Sequence, residues 1–199
     1  MFVELFRGRQ LLKREVEERK RQEELARHLA SHDALTGLPN RVLFMDRLAG
    51  AMLRAERQGT SCALCYMDLD DFKPVNDRYG HHAGDALLKA FAARLRDGVR
   101  KEDTAARLGG DEFAVVLEQP VIASDAQAKL ESLVLRLQEP YRLQLQDHGE
   151  VEVRIGASVG IALHPGHGGA VDDLVRAADR AMYAAKGQGK GRCVLAASG

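Results

Sequence analysis

The chain has no net charge, little cysteine and no long apolar run, and each shortage removes a class of function. Lysine plus arginine number 29 and aspartate plus glutamate number 29. With the signs balanced, no overall field draws the chain onto nucleic acid or an anionic membrane, although a local basic patch stays open to it. Cys62, Cys65 and Cys193 are the 3 cysteines among 199 residues. So small and odd a number argues against a disulfide framework and fits a reducing cytosol. Cys62 and Cys65 have the spacing of half a zinc or redox site. No second pair completes it, and their stretch reads as a strand, where residues three apart face opposite ways. They are read as buried thiols. No apolar run approaches the roughly 18 residues of a membrane-spanning helix. Met1 to Gln10 lacks the profile of a signal peptide. The expectation is a soluble, cytoplasmic chain, and no internal repeat is found.

What is present is ordinary globular material, 45% hydrophobic and 29% charged, enough for one domain and an appendage. Leu11 to Ala30 has no proline or glycine and is rich in helix formers. Glu15 and Arg19, Glu17 and Arg21, and Glu23 and Arg27 are pairs four apart in the favourable order. Its apolar positions Leu11, Leu12, Val16, Leu25 and Leu29 are too sparse for sustained heptads. Two readings stay open: a solvated helix, or a parallel stalk that carries a signal from an upstream sensor or partner. Residues 1–32 are therefore set apart from a domain at 33–199.

Asp33 to Asn40 is turn chemistry, with Asn40 placed to cap the next helix. Arg41 to Arg57 reads as a helix and Ser61 to Leu69 as a strand. Asp70 to Gly84 reads as irregular with a short helical turn, and Asp85 to Val99 as an amphipathic helix. Thr104 to Leu108 and Glu112 to Leu117 read as strands joined by a tight turn at Gly109 and Gly110. A helix over Ala123 to Gln138 follows, then strands at Tyr141 to Gln146 and Val151 to Leu163. A helix at Val171 to Lys186 and a strand at Arg192 to Leu195 complete the chain. Mixed helices and hairpin strands predict an α+β fold around a largely antiparallel sheet.

Acidic residues cluster at three places: Asp68, Asp70 and Asp71 at a strand end; Asp111 and Glu112 after the glycine turn; and Asn76 with Asp77 and Asp85. Carboxylates at a strand end and a hairpin tip suit Mg²⁺, which takes one or two carboxylates plus substrate phosphates. Solvated acidic loops are the alternative.

Gly109-Gly110-Asp111-Glu112-Phe113 resembles the motif that gives the GGDEF family, the diguanylate cyclases, its name. Companions support the resemblance. Asp33 to Arg41 is similar to the family's D-x-L-T-G-L-x-N-R segment. Asp68 to Lys73, then Asn76 and Asp77, then Gly80 to Asp85, resemble its D-x-D-x-F-K-x-x-N-D and G-H-x-x-G-D block. Ala178 to Lys186 resembles its C-terminal helix. The match runs from about Asp33 to Val194.

The resemblance implies a palm-like nucleotidyl-cyclase fold with a five-stranded, mainly antiparallel sheet flanked by helices, after an N-terminal helix. It implies condensation of two GTP into cyclic di-GMP and two pyrophosphates, in a homodimer that uses Mg²⁺, with Mn²⁺ as a substitute. Asp68, the Leu69 carbonyl and Asp111 are the implied metal ligands. Asp111, Glu112 and Lys73 are the implied catalytic groups. Phe72, Asn76, His81, Asp85, Gly109 and Gly110 are implied at the nucleotide, with Asn76 and Asp85 reading guanine. An aspartate accepts from guanine's N1–H and amine and is mismatched to adenine, so GTP is expected over ATP. Lys186 and Lys190 are implied at the terminal phosphates, and the family often has arginine at the latter place. Arg100 and Asp103 resemble the family's R-x-x-D inhibitory site for its product. The alternative is a silent module that binds GTP or cyclic di-GMP and relays a signal. His164 to His167 could pair on a metal but reads as a turn.

Overall fold

The structure, a computed structural model, describes residues 2–118 and 123–197; the side chains of residues 2–12 and 123–126 fall outside the description. The chain order is α1 (Phe2–Ser31), α2 (Arg41–Gln58), β1 (Cys62–Asp70), α3 (Phe72–Tyr79), α4 (His81–Gly98), β2 (Thr104–Gly109) and β3 (Glu112–Leu117). It continues with α5 (Ala123–Leu137), β4 (Tyr141–Leu145), β5 (Gly149–Val153), β6 (Gly156–His164), α6 (Val171–Gly187) and β7 (Cys193–Leu195).

Five strands make the sheet in the order β2-β3-β1-β6-β7. All pairs are antiparallel except β6 with β7. β1 lies in the middle, paired on both sides, so its end is a rigid place for chemistry. Alternation along β1 sorts its residues between two cores. Cys65, Met67 and Leu69 join Leu87, Phe91 and Leu95 of α4 on one face. Cys62, Leu64 and Tyr66 join Phe44 and Leu48 of α2 and Ala178 of α6 on the other. Cys62 and Cys65 thus face opposite ways, and burial pushes the Cys62 thiol up to about 11.

Local sequence explains the element ends. The Asn40 side chain accepts from the Val42 and Leu43 amides at 3.0 and 3.1 Å, capping α2. Its amide also donates to the Ala30 carbonyl at 2.9 Å, tying the base of α1 to the domain. Gly59, at φ 62°, ends α2. Phe91 packs between Phe113 and Tyr141, ring centroids 4.8 and 6.4 Å away. Glycine sets one close approach. A β-carbon at Gly160 would lie 1.9 Å from the Ala178 carbonyl oxygen and 2.2 Å from the Met182 nitrogen, so α6 rests directly on the β6 backbone.

Two expectations need correction. Residues 70–84 are not irregular: α3 fills Phe72–Tyr79, and α4 begins at His81 rather than Asp85. Pro74 sits within the first turn of α3, where its missing N–H costs nothing. The stretch Val151 to Leu163 is not one strand. β5 pairs with β4 as a separate hairpin, and β6 starts anew at Gly156. The N-terminal helix runs Phe2–Ser31. Val16, Leu25 and Leu29 stand exposed on it, while Leu11 and Leu12 fall outside the described side chains. Among the described residues, no helix is long and apolar enough to cross a membrane.

Candidate active site

The site forms where β1 and the β2–β3 turn end together. Asp68 on β1 pairs across the sheet with Glu112 on one side and Ser158 on the other. Beyond that pair, the Leu69 amide donates to the Asp111 carbonyl at 3.2 Å, which fastens the glycine turn to β1. Gly109 and Gly110 lie at φ 145° and 51°, and the register slips between Arg107 and Gly109. A side chain would strain both conformations.

Asp68 is half-buried and carries the clearest electrostatic mark. Burial pushes its carboxyl above the usual 3.8, and the nearby charge of Asp111 adds to this. Lys186 and Lys190 pull the other way without cancelling it. Lys186, in the last turn of α6, places its Nζ 2.7 Å from Asp68 Oδ1. The Lys186 ammonium thus eases the repulsion between the two aspartates. Among the described residues no three acidic, histidine or cysteine side chains converge as a ready-made cage. Magnesium needs none, since substrate phosphates and water complete its shell. The donors Asp68 and Asp111 fit that ion.

Asp70 has a different task. Its Oδ1 accepts from Ser158 Oγ at 2.7 Å and its Oδ2 from the Gly191 amide at 2.9 Å, and the residue is buried. It anchors the loop after α6 rather than facing the site. Asp71, at the N-terminus of α3, holds Lys190 Nζ at 2.7 Å.

Glu112 comes with two partners that motif reading passes over. Tyr66 donates its hydroxyl to Glu112 Oε2 at 3.2 Å, and Arg41 Nη2 lies 3.4 Å from that hydroxyl and 3.5 Å from the carboxylate. Tyr66 was legible only as a core residue of an apolar strand, although alternation puts it on the face of Asp68. Arg107 was likewise missed. Its Nε and Nη2 donate to the Gly110 carbonyl at 3.0 and 2.7 Å, and its Nη1 to Asp33 Oδ1 at 2.9 Å. Asp33 also accepts from the Thr36 amide and hydroxyl. Burial pushes the Asp33 carboxyl up, but the bonds from Thr36 and Arg107 outweigh it and hold it below the usual value. One guanidinium therefore braces the glycine turn against the segment that opens the domain.

The expected nucleotide readers lie on α3 and α4. A β-carbon at Gly84 would come 2.0 Å from Asn76 Oδ1, so the glycine lets the Asn76 amide lie against α4, one residue from Asp85. Phe72 is half-buried against the core. Lys73, His81 and Asp85 are exposed.

The chain matches the family described as "Diguanylate cyclase, GGDEF domain" over residues 30–192. It belongs to that family. It is 52% identical over 171 residues to the bifunctional diguanylate cyclase/cyclic di-GMP phosphodiesterase MucR of Pseudomonas aeruginosa, a match covering 85% of this chain and 24% of MucR. It is 42% identical over 169 residues to the diguanylate cyclase TpbB of the same species, covering 85% of this chain and 38% of TpbB. The chain thus spans well under half of these curated relatives. Among solved structures it is similar to the coiled coil and GGDEF domain of DgcB from Caulobacter crescentus in complex with c-di-GMP. There the TM-score is 0.82 at 33% identity, covering 92% of this chain and 95% of that one.

In this GGDEF domain the Arg100 to Asp103 segment is a closed turn. The Asp103 amide donates to the Arg100 carbonyl at 3.1 Å, and Asp103 Oδ2 accepts from the Arg100 amide at 3.1 Å. Oδ1 accepts from the Glu118 amide at 3.1 Å, and Lys129 Nζ reaches Oδ2 at 3.0 Å. The Asp103 side chain is 1% exposed. Three bonds from this chain hold it in that buried position, so grasping a guanine would require the turn to open. Arg100 is free of that constraint: it lines an open cavity of about 580 Å³ with Arg47, Arg96 and Lys101. This is a local basic patch on a chain of zero net charge.

The GGDEF domain's two loop histidines serve its backbone. His164 is buried with Nδ1 3.0 Å from the Gly168 carbonyl, and His167 Nδ1 accepts from the Leu163 amide at 2.9 Å.

Proposed function

We propose that this chain condenses two GTP molecules into cyclic di-GMP, with Mg²⁺ and as a homodimer. The observation that carries the reading is the glycine turn fastened to the end of β1 by the bond from the Leu69 amide to the Asp111 carbonyl, which brings Asp111 near Asp68, where Lys186 stands at 2.7 Å. Such a pair is built for a cation and its phosphates.

In this reading the Asn76 and Asp85 side chains hold guanine, Lys186 and Lys190 grip the terminal phosphates, and the bare backbone of Gly109 and Gly110 admits the nucleotide closely. The ribose O3′ of one GTP attacks the α-phosphorus of the other. The bond to the β-phosphate oxygen breaks and pyrophosphate leaves; the reciprocal attack by the second O3′ then closes the ring and releases the second pyrophosphate. The Asp111 carboxylate takes the O3′ proton, with Glu112 beside it, and Lys73 offsets the charge that builds on the phosphate. Magnesium, when bound by Asp68, the Leu69 carbonyl and Asp111, supplies charge neutralisation at the phosphates.

One site holds one GTP, so two copies must face each other about a two-fold axis. α1 raises the effective concentration of the second copy. The DgcB structure, which includes a coiled coil, supports that role. Cyclic di-GMP binds back at Arg100, where the basic cavity supports an anion. Arg100→Ala should leave turnover intact and abolish inhibition by added product; inhibition that persists unchanged removes Arg100 from the site.

The deciding experiment is incubation with GTP and Mg²⁺ across protein concentrations, with chromatography of the products. Cyclic di-GMP that rises more than linearly with protein, and disappears in Asp111→Ala, supports the proposal. GTP bound but unconverted would make the chain a silent binding module.

A further inference from the structure

The acidic run at the end of β1 grips the end of α6 and the loop after it at three points, and the three grips differ. Asp68 pairs with Lys186 at 2.7 Å, half-buried. Asp70 accepts from the Gly191 amide and from Ser158, buried and satisfied on both oxygens. Asp71 pairs with Lys190 at 2.7 Å, and this grip is open to solvent, with side chains 68% and 46% exposed.

Asp71 and Lys190 share a second property. They sit at φ 60° and 62°, the two non-glycine residues of the described chain with positive φ. Left-handed backbone at an aspartate is tolerated, but at a lysine it is uncommon. The flanking Gly189 and Gly191, at φ 108° and 57°, let the loop bend so sharply. Two opposed bends therefore aim a carboxylate and an ammonium at each other across exposed surface.

We propose that Asp71 competes with the substrate for Lys190. It holds the lysine while the site lacks nucleotide, and the terminal phosphates of GTP take the lysine from it. This rests on the reading of Lys190 as a phosphate-binding group. Asp71 touches neither the reacting atoms nor the base; it sets how tightly a triphosphate binds. A triphosphate carries several negative charges against one on Asp71, so the exchange runs toward the nucleotide. Its cost is the loss of one exposed ion pair, plus an unpaired carboxylate left near the phosphates. The competition falls only on ligands that recruit Lys190. GTP feels it, and GMP, which has no terminal phosphates, does not.

The test uses the whole chain and its Asp71→Asn, Lys190→Asn and double variants. Asparagine tolerates left-handed backbone, so both bends survive. Thermal melting confirms that each variant is folded. Binding of GMP and of a GTP analogue with a methylene bridge between the α- and β-phosphorus, both with Mg²⁺, is measured by calorimetry, and GTP turnover by product formation. Asp71→Asn should tighten the analogue and lower KM for GTP by roughly two- to fivefold, the range for an exposed pair. GMP affinity and kcat should stay level. In the Lys190→Asn background the gain should shrink toward nothing.

An unchanged or weaker affinity in Asp71→Asn overturns the inference. So does an equal gain in both backgrounds, because Asp71 would then act by simple repulsion. If the natural chain binds neither the analogue nor GTP, the reading of the whole site falls first and takes this inference with it.

Discussion

Among the described residues three aspartates each hold a lysine at hydrogen-bonding distance, and two of the pairs do opposite things. Lys186 meets Asp68 at 2.7 Å and Lys129 meets Asp103 at 3.0 Å. Around Asp103, two backbone amides complete the carboxylate, and its side chain is 1% exposed. Around Asp68, burial pushes the carboxyl up and the neighbouring Asp111 carboxylate adds to it. The Asp103 pair is finished and belongs to the fold. The Asp68 pair is not, and in the proposed reaction a metal cation completes it. Distance between partners does not separate a structural ion pair from a functional one; what surrounds the acid does.

Substitutions can break that contrast or sharpen it. The largest effect is expected at the unfinished end. Asp111→Ala should lower the initial rate of cyclic di-GMP formation by a factor on the order of 10³ while the domain keeps its melting temperature. A large loss of stability would erase the distinction. Next comes the finished pair. Asp103→Ala strands Lys129 and two amides, and a cost of about 3 kcal/mol follows. In a chain of this size that lowers the melting midpoint by roughly 6–12 °C. Asp68→Asn, which removes a charge already disfavoured, should shift it by less than about 3 °C.

A smaller effect tests the brace between the two ends. Asp33 has its carboxyl held below the usual 3.8, so its stabilising share is present above that value and is lost as pH falls through the lowered one. Asp33→Asn should cost about 1–2 kcal/mol near neutral pH in urea denaturation. That penalty should shrink as the medium is acidified below 3.8; a constant difference would remove Asp33's ionisation from the account. The smallest effect is expected at Tyr66→Phe. Losing one hydrogen bond to Glu112 should lower kcat by roughly two- to tenfold with little change in KM. An unaltered kcat would leave Tyr66 a packing residue.

Much of this architecture is legible in the residue order, for identifiable reasons. The strand from Cys62, the cap at Asn40 and the glycine turn announce themselves because each depends on neighbours along the chain. α3 hides because Pro74, Asn76 and Asp77 all discourage a helix, and what holds it is burial of Val75 and the close fit of Asn76 over Gly84. The break between β5 and β6 hides because Val151, Val153 and Ile155 keep alternating through it. In the site, the acidic and basic residues can be named from their spacing. Their pairings cannot, since Asp71 and Lys190 lie 119 residues apart and Arg107 and Asp33 lie 74 apart. The committed state of Asp103 depends on Lys129, from a helix that no motif covers.

The seat of α6 on β6 deserves a last consequence. At Gly160 the helix backbone occupies the volume that a methyl group would need. The same helix carries Lys186 in its last turn, about one turn beyond Met182. A hydrogen atom at one position therefore governs the reach of an ammonium at another. Swapping Gly160 for alanine would lever the far end of the rod away from the carboxylates and, in the proposed reaction, loosen the hold on a phosphate tail without altering a single charged group.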